Sequence, residues 1–226
     1  DIGAMSVFLY CFREREAILN LFEEICGALL TPSYIRIGGV ALDLPNGIEE
    51  KIARFIAVMS ARIDEYWALL DENPIWRDRT VGTGVMVADD CIRYGVTGPV
   101  LRAAGVPYDI RKTNPYCGYE KYEFEVQVGE NCDVFDRYRV RMGEMRESIK
   151  IIEQVLMTMP DGDCNAADPK IVLPTKERVF SDMEALIHHF ILVTRGFPVA
   201  PGEAYSSIES PKGELGYYVV ADGSEK

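Results

Sequence analysis

The sequence predicts a mainly α fold with peripheral β structure, an α+β arrangement in which a helical bundle carries a β-hairpin. Three observations lead there. Apolar residues recur at 3–4 spacing over long stretches, which is the signature of amphipathic helices. Breaker-rich segments divide those stretches, and only the tail holds two neighbouring strand-like runs. At 226 residues, 48% hydrophobic and 27% charged, the chain can bury a sizeable core. No internal repeat, low-complexity tract or linker forces a boundary, so 1–226 is read as a single domain. Its helical core occupies about 1–160 and 177–195 and its hairpin about 203–222.

The first helix is expected through about Ala28, with Ile18, Leu21, Phe22 and Ile25 in phase and Gly27 as its stop. Upstream of Arg13 the run is apolar on every side, and such a helix needs neighbours on more than one flank. "TPSYIRIGGVALDLPNG" holds too many prolines and glycines for a regular element and is read as a structured loop. From Gly47 to about Asp71, Ile48, Ile52, Phe55, Ile56, Met59, Ile63, Tyr66 and Leu70 keep helical period against a charged face. Short helical pieces follow in "NPIWRDRT", "ADDCIRYG" and "GPVLRAAG". "EKYEFEVQVG" alternates apolar and polar residues and is predicted to be a half-buried strand. A long helix is expected from about Asp133 to Met159, with Val134, Tyr138, Met142, Met145, Ile149, Ile152 and Leu156 as its stripe, and another from about Glu177 to Thr194 with Met183, Leu186, Ile187, Phe190 and Ile191 turned inward. Ala204 to Glu209 and Leu215 to Val220, joined by "SPKGE", form the hairpin.

Thirty-six acidic residues against 24 basic ones give a net charge of -12, which argues against nucleic acid as a partner because phosphate binding needs clustered Lys and Arg. No apolar stretch approaches the roughly 20 residues that span a bilayer. The six cysteines are never closer than fifteen positions, so no CxxC spacing is present and free thiols are expected. His188 and His189 are adjacent and point about 100° apart on a helix, a poor geometry for sharing one metal. No metal site is assigned. "GTG" at Gly82 to Gly84 lacks the rest of a phosphate loop and is read as a turn. The carboxylates of "EYWALLDE" and "KYEFEVQ" are read as solvated faces.

Two positions stand apart. Asp1 places a carboxylate at the head of the all-apolar run, where it either caps the helix or meets a buried partner. Arg36, near Tyr34 and Asp43 in the glycine-rich loop, is a candidate anion clamp or structural ion-pair partner.

Six stretches carry a resemblance to a known family. "DIGAMSVFLYCFRERE", "YIRIGGVALDLPNG", "YGVTGPVLRAAGVPYDIRKTNPY", "DVFDRYRVRMGEMRESIKIIEQ", "MEALIHHF" and "SPKGELGYYVVADG" are similar, in this order, to the D-subunit family of respiratory complex I, the proton-pumping NADH-quinone oxidoreductase. The resemblance covers nearly the whole chain and implies a fold of the nickel-iron hydrogenase large-subunit type, shorter here at both ends. It implies a component of a proton-translocating NADH:quinone oxidoreductase in which an iron-sulfur cluster of a neighbouring small subunit passes electrons to quinone. The chain itself would bind no metal, and by itself would be inactive. By the same resemblance, Asp1 orients a quinone-site histidine that is not in these 226 residues, and Phe8, Leu9 and Phe12 line the quinone cavity. The implied setting is peripheral, on the cytoplasmic side of the inner (plasma) membrane, among other complex I subunits. A large subunit of a membrane-bound nickel-iron hydrogenase-type complex, or a non-catalytic scaffold, are the alternatives. Phe8 and Phe12 are expected to be exposed in the isolated chain.

Overall fold

A computed structural model describes residues 5–224. Along the chain run α1 (Met5–Cys26), β1 (Ile35–Arg36), β2 (Gly39–Val40), α2 (Ile48–Leu70), α3 (Pro74–Thr80), α4 (Ala88–Arg93), α5 (Gly98–Ala103), α6 (Ile110–Thr113), α7 (Val134–Thr158), α8 (Lys176–Ser181), α9 (Met183–Thr194), β3 (Gly202–Ser210) and β4 (Gly213–Ala221). Helices with two small two-stranded sheets make this a mixed helix and sheet architecture, as the sequence predicts. Gly27, at φ +75°, ends α1 in the left-handed region that glycine enters freely. Asp133 starts α7 by accepting the Asp136 N–H at 2.8 Å.

Backbone contacts divide the chain into two compact units. The described residues of Asp1–Ala17, with Glu49–Met159 and Ser206–Tyr217, form the first; Ile18–Ile48, Pro160–Tyr205 and the described residues of Tyr218–Lys226 form the second. In the first unit, α2 and α7 pack through Ile63, Tyr66 and Met142, with Met59, Trp67, Tyr138, Met145 and Ile149 around them. This is the core that the periodic stripes of the two helices predict. A second core joins Cys91, Leu101 and Cys132 under α4 and α5. The β3–β4 turn approaches the start of α5 so closely that a Cβ on Gly98 would lie 2.4 Å from the Cα of Gly213. Both glycines have positive φ, so that contact requires glycine on each side.

In the second unit β1 and β2 pair antiparallel, Ile35 opposite Val40. Asn165 seals them by accepting the Val40 N–H at 3.1 Å, and a Cβ on Gly39 would meet Asn165 Oδ1 at 2.2 Å.

Three expectations are corrected. Residues 122–128 form no strand. Side chains of α7 stand in for a neighbouring strand: Glu147 accepts the Glu125 N–H at 2.9 Å, and Gln154 both accepts the Glu123 N–H and donates to its carbonyl at 2.8 Å. The helix expected over 177–194 is two helices. Asp182 divides them, its carboxylate accepting the Glu184 N–H at 3.0 Å as the cap of α9. The apolar face of α9 is not turned inward either, since Met183, Phe190 and Ile187 are 73%, 65% and 51% exposed. Helical spacing determines which side chains share a face; whether anything covers that face is a tertiary matter.

Candidate functional site

The sequence reading places the site at the head of α1. Asp1 lies outside the described residues. Phe8 and Phe12, one helical turn apart, stack their rings at 4.4 Å between centroids. They are 52% and 40% exposed, as expected for the isolated chain, and Leu9 beside them is 59% exposed. Met5 continues this open apolar face.

The opposite face of the same helix is polar and held fast. Glu14 is 8% exposed although it carries a carboxylate. Tyr66 of α2 donates its hydroxyl to Glu14 Oε2 at 2.8 Å, Arg13 Nε donates to Oε1 at 2.8 Å, and Arg62 Nε lies 3.2 Å from the same oxygen. Glu65 accepts from Arg62 and Arg13 at 3.0 and 3.3 Å. Burial, reinforced by the bond to Glu14, pushes the Tyr66 phenol well above its ordinary range. The hydrogen bond from Arg62 holds the Glu65 carboxyl below its ordinary value. Here two cations meet two carboxylates around one phenol, and the head of α1 is fixed on α2 by charge rather than by its apolar residues. Cys11, between the two faces, has its thiol pKa raised by burial and by Glu14.

Sequence reasoning missed Glu14 and Arg62, and it read Tyr66 only as part of the apolar stripe of α2 and Glu65 only as part of a solvated face. Tyr66 lies 52 positions from Glu14, and one sequence carries no signal for so distant a pairing. The i,i+4 spacing of Arg62 and Tyr66 shows that they share a face but not what they meet.

Arg36 lies exposed on β1 beside a cleft of 440 Å³ that Asn165 and Val172 also line. It makes no ion pair with a described residue, so the structure brings it to none of the other predicted positions. His188 Nε2 stands 3.7 Å from Glu184 Oε1 within α9. Among the described residues, no three or more His, Cys, Asp or Glu side chains converge as a metal site would require. All six cysteines are free thiols, with Cys91 and Cys132 buried. No described helix is long and apolar enough to cross a membrane.

A second polar cluster joins the stretches "RKTNPY" and "ESPKGELG". Arg102 of α5, 2% exposed, donates through Nε to Glu144 at 2.7 Å and through Nη1 to Glu209 and the Tyr108 carbonyl at 2.9 Å. Asp109 takes a bidentate pair from Arg111 at 3.0 and 2.7 Å. The Glu209 N–H donates to the Tyr116 hydroxyl at 2.9 Å, which latches β3 onto the segment after α6. Its charge partners hold the Asp109 carboxyl low against the opposing effect of burial, whereas burial prevails at Glu144 and raises its pKa.

Comparison with known proteins accounts for these shared stretches. A family described as "Respiratory-chain NADH dehydrogenase, 49 Kd subunit" matches residues 1–226. The NADH-quinone oxidoreductase D-subunit of Geobacter metallireducens is 51% identical over all of this chain, which covers 58% of that relative. Its counterpart from Geobacter sulfurreducens is 52% identical with the same coverage. A D-subunit of the same enzyme from Solibacter usitatus is 54% identical, with 55% of it covered. The chain thus spans a little more than half the length of these relatives. Matched from end to end, it belongs to the respiratory-chain NADH dehydrogenase 49 kDa subunit family.

Proposed function

We propose that the chain forms the quinone-facing part of the D-subunit of an NADH-quinone oxidoreductase. In this reading two electrons pass, one at a time, from an iron-sulfur cluster on a neighbouring subunit to a quinone lying against the Phe8–Leu9–Phe12 face of α1. Two protons complete the quinol. They come from a tyrosine and a histidine elsewhere in the full-length protein, and Asp1 orients that histidine and stabilises its protonated form. NADH is oxidised on another subunit, so this chain has no nicotinamide to bind. The surrounding fold is of the hydrogenase large-subunit type, and the assembly is peripheral to the cytoplasmic face of the membrane.

The observation that carries this reading is the inversion of α1. A helix in a water-soluble chain ordinarily turns its rings to the core and its carboxylates to solvent. In α1 Glu14 is inside and Phe8, Leu9 and Phe12 are outside. An apolar wall held rigid by a polar anchor behind it is what a hydrophobic headgroup-and-tail substrate needs.

The test is Asp1→Asn in the assembled full-length enzyme, read as quinone reductase turnover. Removing a carboxylate that orients a catalytic histidine is expected to lower turnover by about 10- to 100-fold. Turnover equal to wild type would remove Asp1 from the mechanism.

A further inference from the structure

A cavity of 670 Å³ in the first unit lies beside the Arg102 cluster, away from the head of α1. Arg141, Glu144, Met145 and Ser148 line one side from a single face of α7, at the i, i+3, i+4, i+7 spacing of one helical stripe. Arg102 and Arg111 line it from α5 and α6, and Pro211 and Lys212 from the β3–β4 turn.

The hydrogen bonds of Arg102 use Nε and Nη1, and among the described residues Nη2 is its uncommitted donor. Arg111 commits Nε and Nη2 to Asp109 and lies over the Tyr119 and Phe124 rings, and its Nη1 makes no hydrogen bond with a described residue. Arg141 donates only to the Arg137 carbonyl in its own helix, and Lys212 makes no ion pair with a described residue. Arg102 and Arg111 are ion-paired with Glu144, Glu209 and, behind the cavity wall, Asp109; with the lining cations Arg141 and Lys212, which have no ion pair among the described residues, four cations stand against three carboxylates and one positive charge is left over. That surplus occurs on a chain whose net charge is -12. One unmatched charge with several open N–H donors suits a monoanion; a dianion would reverse the imbalance. The volume exceeds what an inorganic ion fills, and Met145, Pro211 and the arginine stems supply apolar wall.

We propose that this cavity binds a carboxylate with an apolar body, its head on Arg102 Nη2 and Arg111 Nη1 between Arg141 and Lys212. The site is separate from the quinone-facing wall proposed above and does not depend on that reading. Arg102 is the buried anchor of the site, held by Glu144 and Glu209, while Arg141 and Lys212 attract the ligand from the rim.

Octanoate titration of the 226-residue chain, followed by calorimetry, tests this directly, with octanol and sulfate as the uncharged and dianionic probes. The comparison variant is Arg141→Gln with Lys212→Gln, both exposed positions, its fold checked by circular dichroism. Saturable octanoate binding, weakened about tenfold in the variant and unmatched by octanol or sulfate, is the expected result. Absence of saturable octanoate binding, unchanged affinity in the variant, equal binding of octanol, or equal binding of sulfate would each overturn the proposal.

Discussion

The head of α1 and the Arg102 cluster are built in opposite senses. At Arg102 the charged groups are inside and ion-paired, with a guanidinium 2% exposed against carboxylates of α7 and β3. At the head of α1 the apolar groups are outside and unmatched, with Phe8 and Leu9 more than half exposed. The first region spends its polarity on holding the chain together: removing one partner would strand buried charge, and that makes it stiff. The second region has its own small polar anchor at Glu14, and its rings contribute almost nothing to the stability of this chain. On α1, stability and surface chemistry are therefore carried by different residues, on two faces of one helix.

That separation can be broken or sharpened by substitution, beginning with the largest effect. Arg102→Met leaves Glu144 and Glu209 without their buried cation, Asp109 keeping Arg111, and is expected to cost about 3–5 kcal/mol in denaturant unfolding. A loss below about 1 kcal/mol would show that water already screens the cluster. Next, Glu14→Gln weakens the hold of α2 on α1 by about 1–2 kcal/mol, a smaller figure because Arg13 and Arg62 are partly exposed. It also lets the Tyr66 phenol titrate at lower pH, though still above the ordinary value because burial remains its main cause. Ultraviolet titration of the phenols reports this shift.

Tyr138 offers a milder test. Burial pushes its phenol up from 10.0 to about 12, and its buried hydroxyl has no hydrogen-bond partner among the described residues. Folding holds that proton more tightly than the unfolded chain does, so the contribution is complete below pH 10.0 and is lost as the pH rises toward 12. Tyr138→Phe is expected to remove this alkaline loss and to raise stability at neutral pH by up to ~1 kcal/mol. Melting curves of both proteins from neutral pH to pH 12 would show it. Smallest of all, Phe8→Ser with Phe12→Ser should change the unfolding free energy by no more than about 0.5 kcal/mol per site.

How much of this was legible in the sequence follows from the range of the interactions involved. The stripe of Ile63 and Tyr66 and that of Met142 and Met145 announce α2, α7 and their shared core, because helical period is written locally. Gly27 and Asp133 mark ends for the same reason. The segment around Phe124 alternates as a strand would, yet its hydrogen bonds go to Glu147 and Gln154, which alternation cannot reveal. Asp182 divides a helix that its flanking apolar pattern reads as continuous, because a capping residue inside an amphipathic run is easily taken for a solvated one. At the site, Phe8, Leu9 and Phe12 are identified by family resemblance and their exposure is then seen in the fold. Glu14 escapes because its partners, Arg62 and Tyr66, are about fifty positions away. "RKTNPY" and "ESPKGELG" carry family identity in the sequence, while the buried arginine that joins them is visible only once the chain is folded.

The central claim is that the apolar face of α1 serves quinone and not the stability of the chain. The decisive measurement is steady-state quinone reduction by the assembled full-length enzyme carrying Phe8→Ser and Phe12→Ser, alongside unfolding of the same variant chain. The account predicts a KM for quinone raised at least about tenfold, as two lost apolar contacts of roughly 1 kcal/mol or more would produce, with unfolding nearly unchanged. Unaltered quinone kinetics in a variant that unfolds like wild type would contradict it.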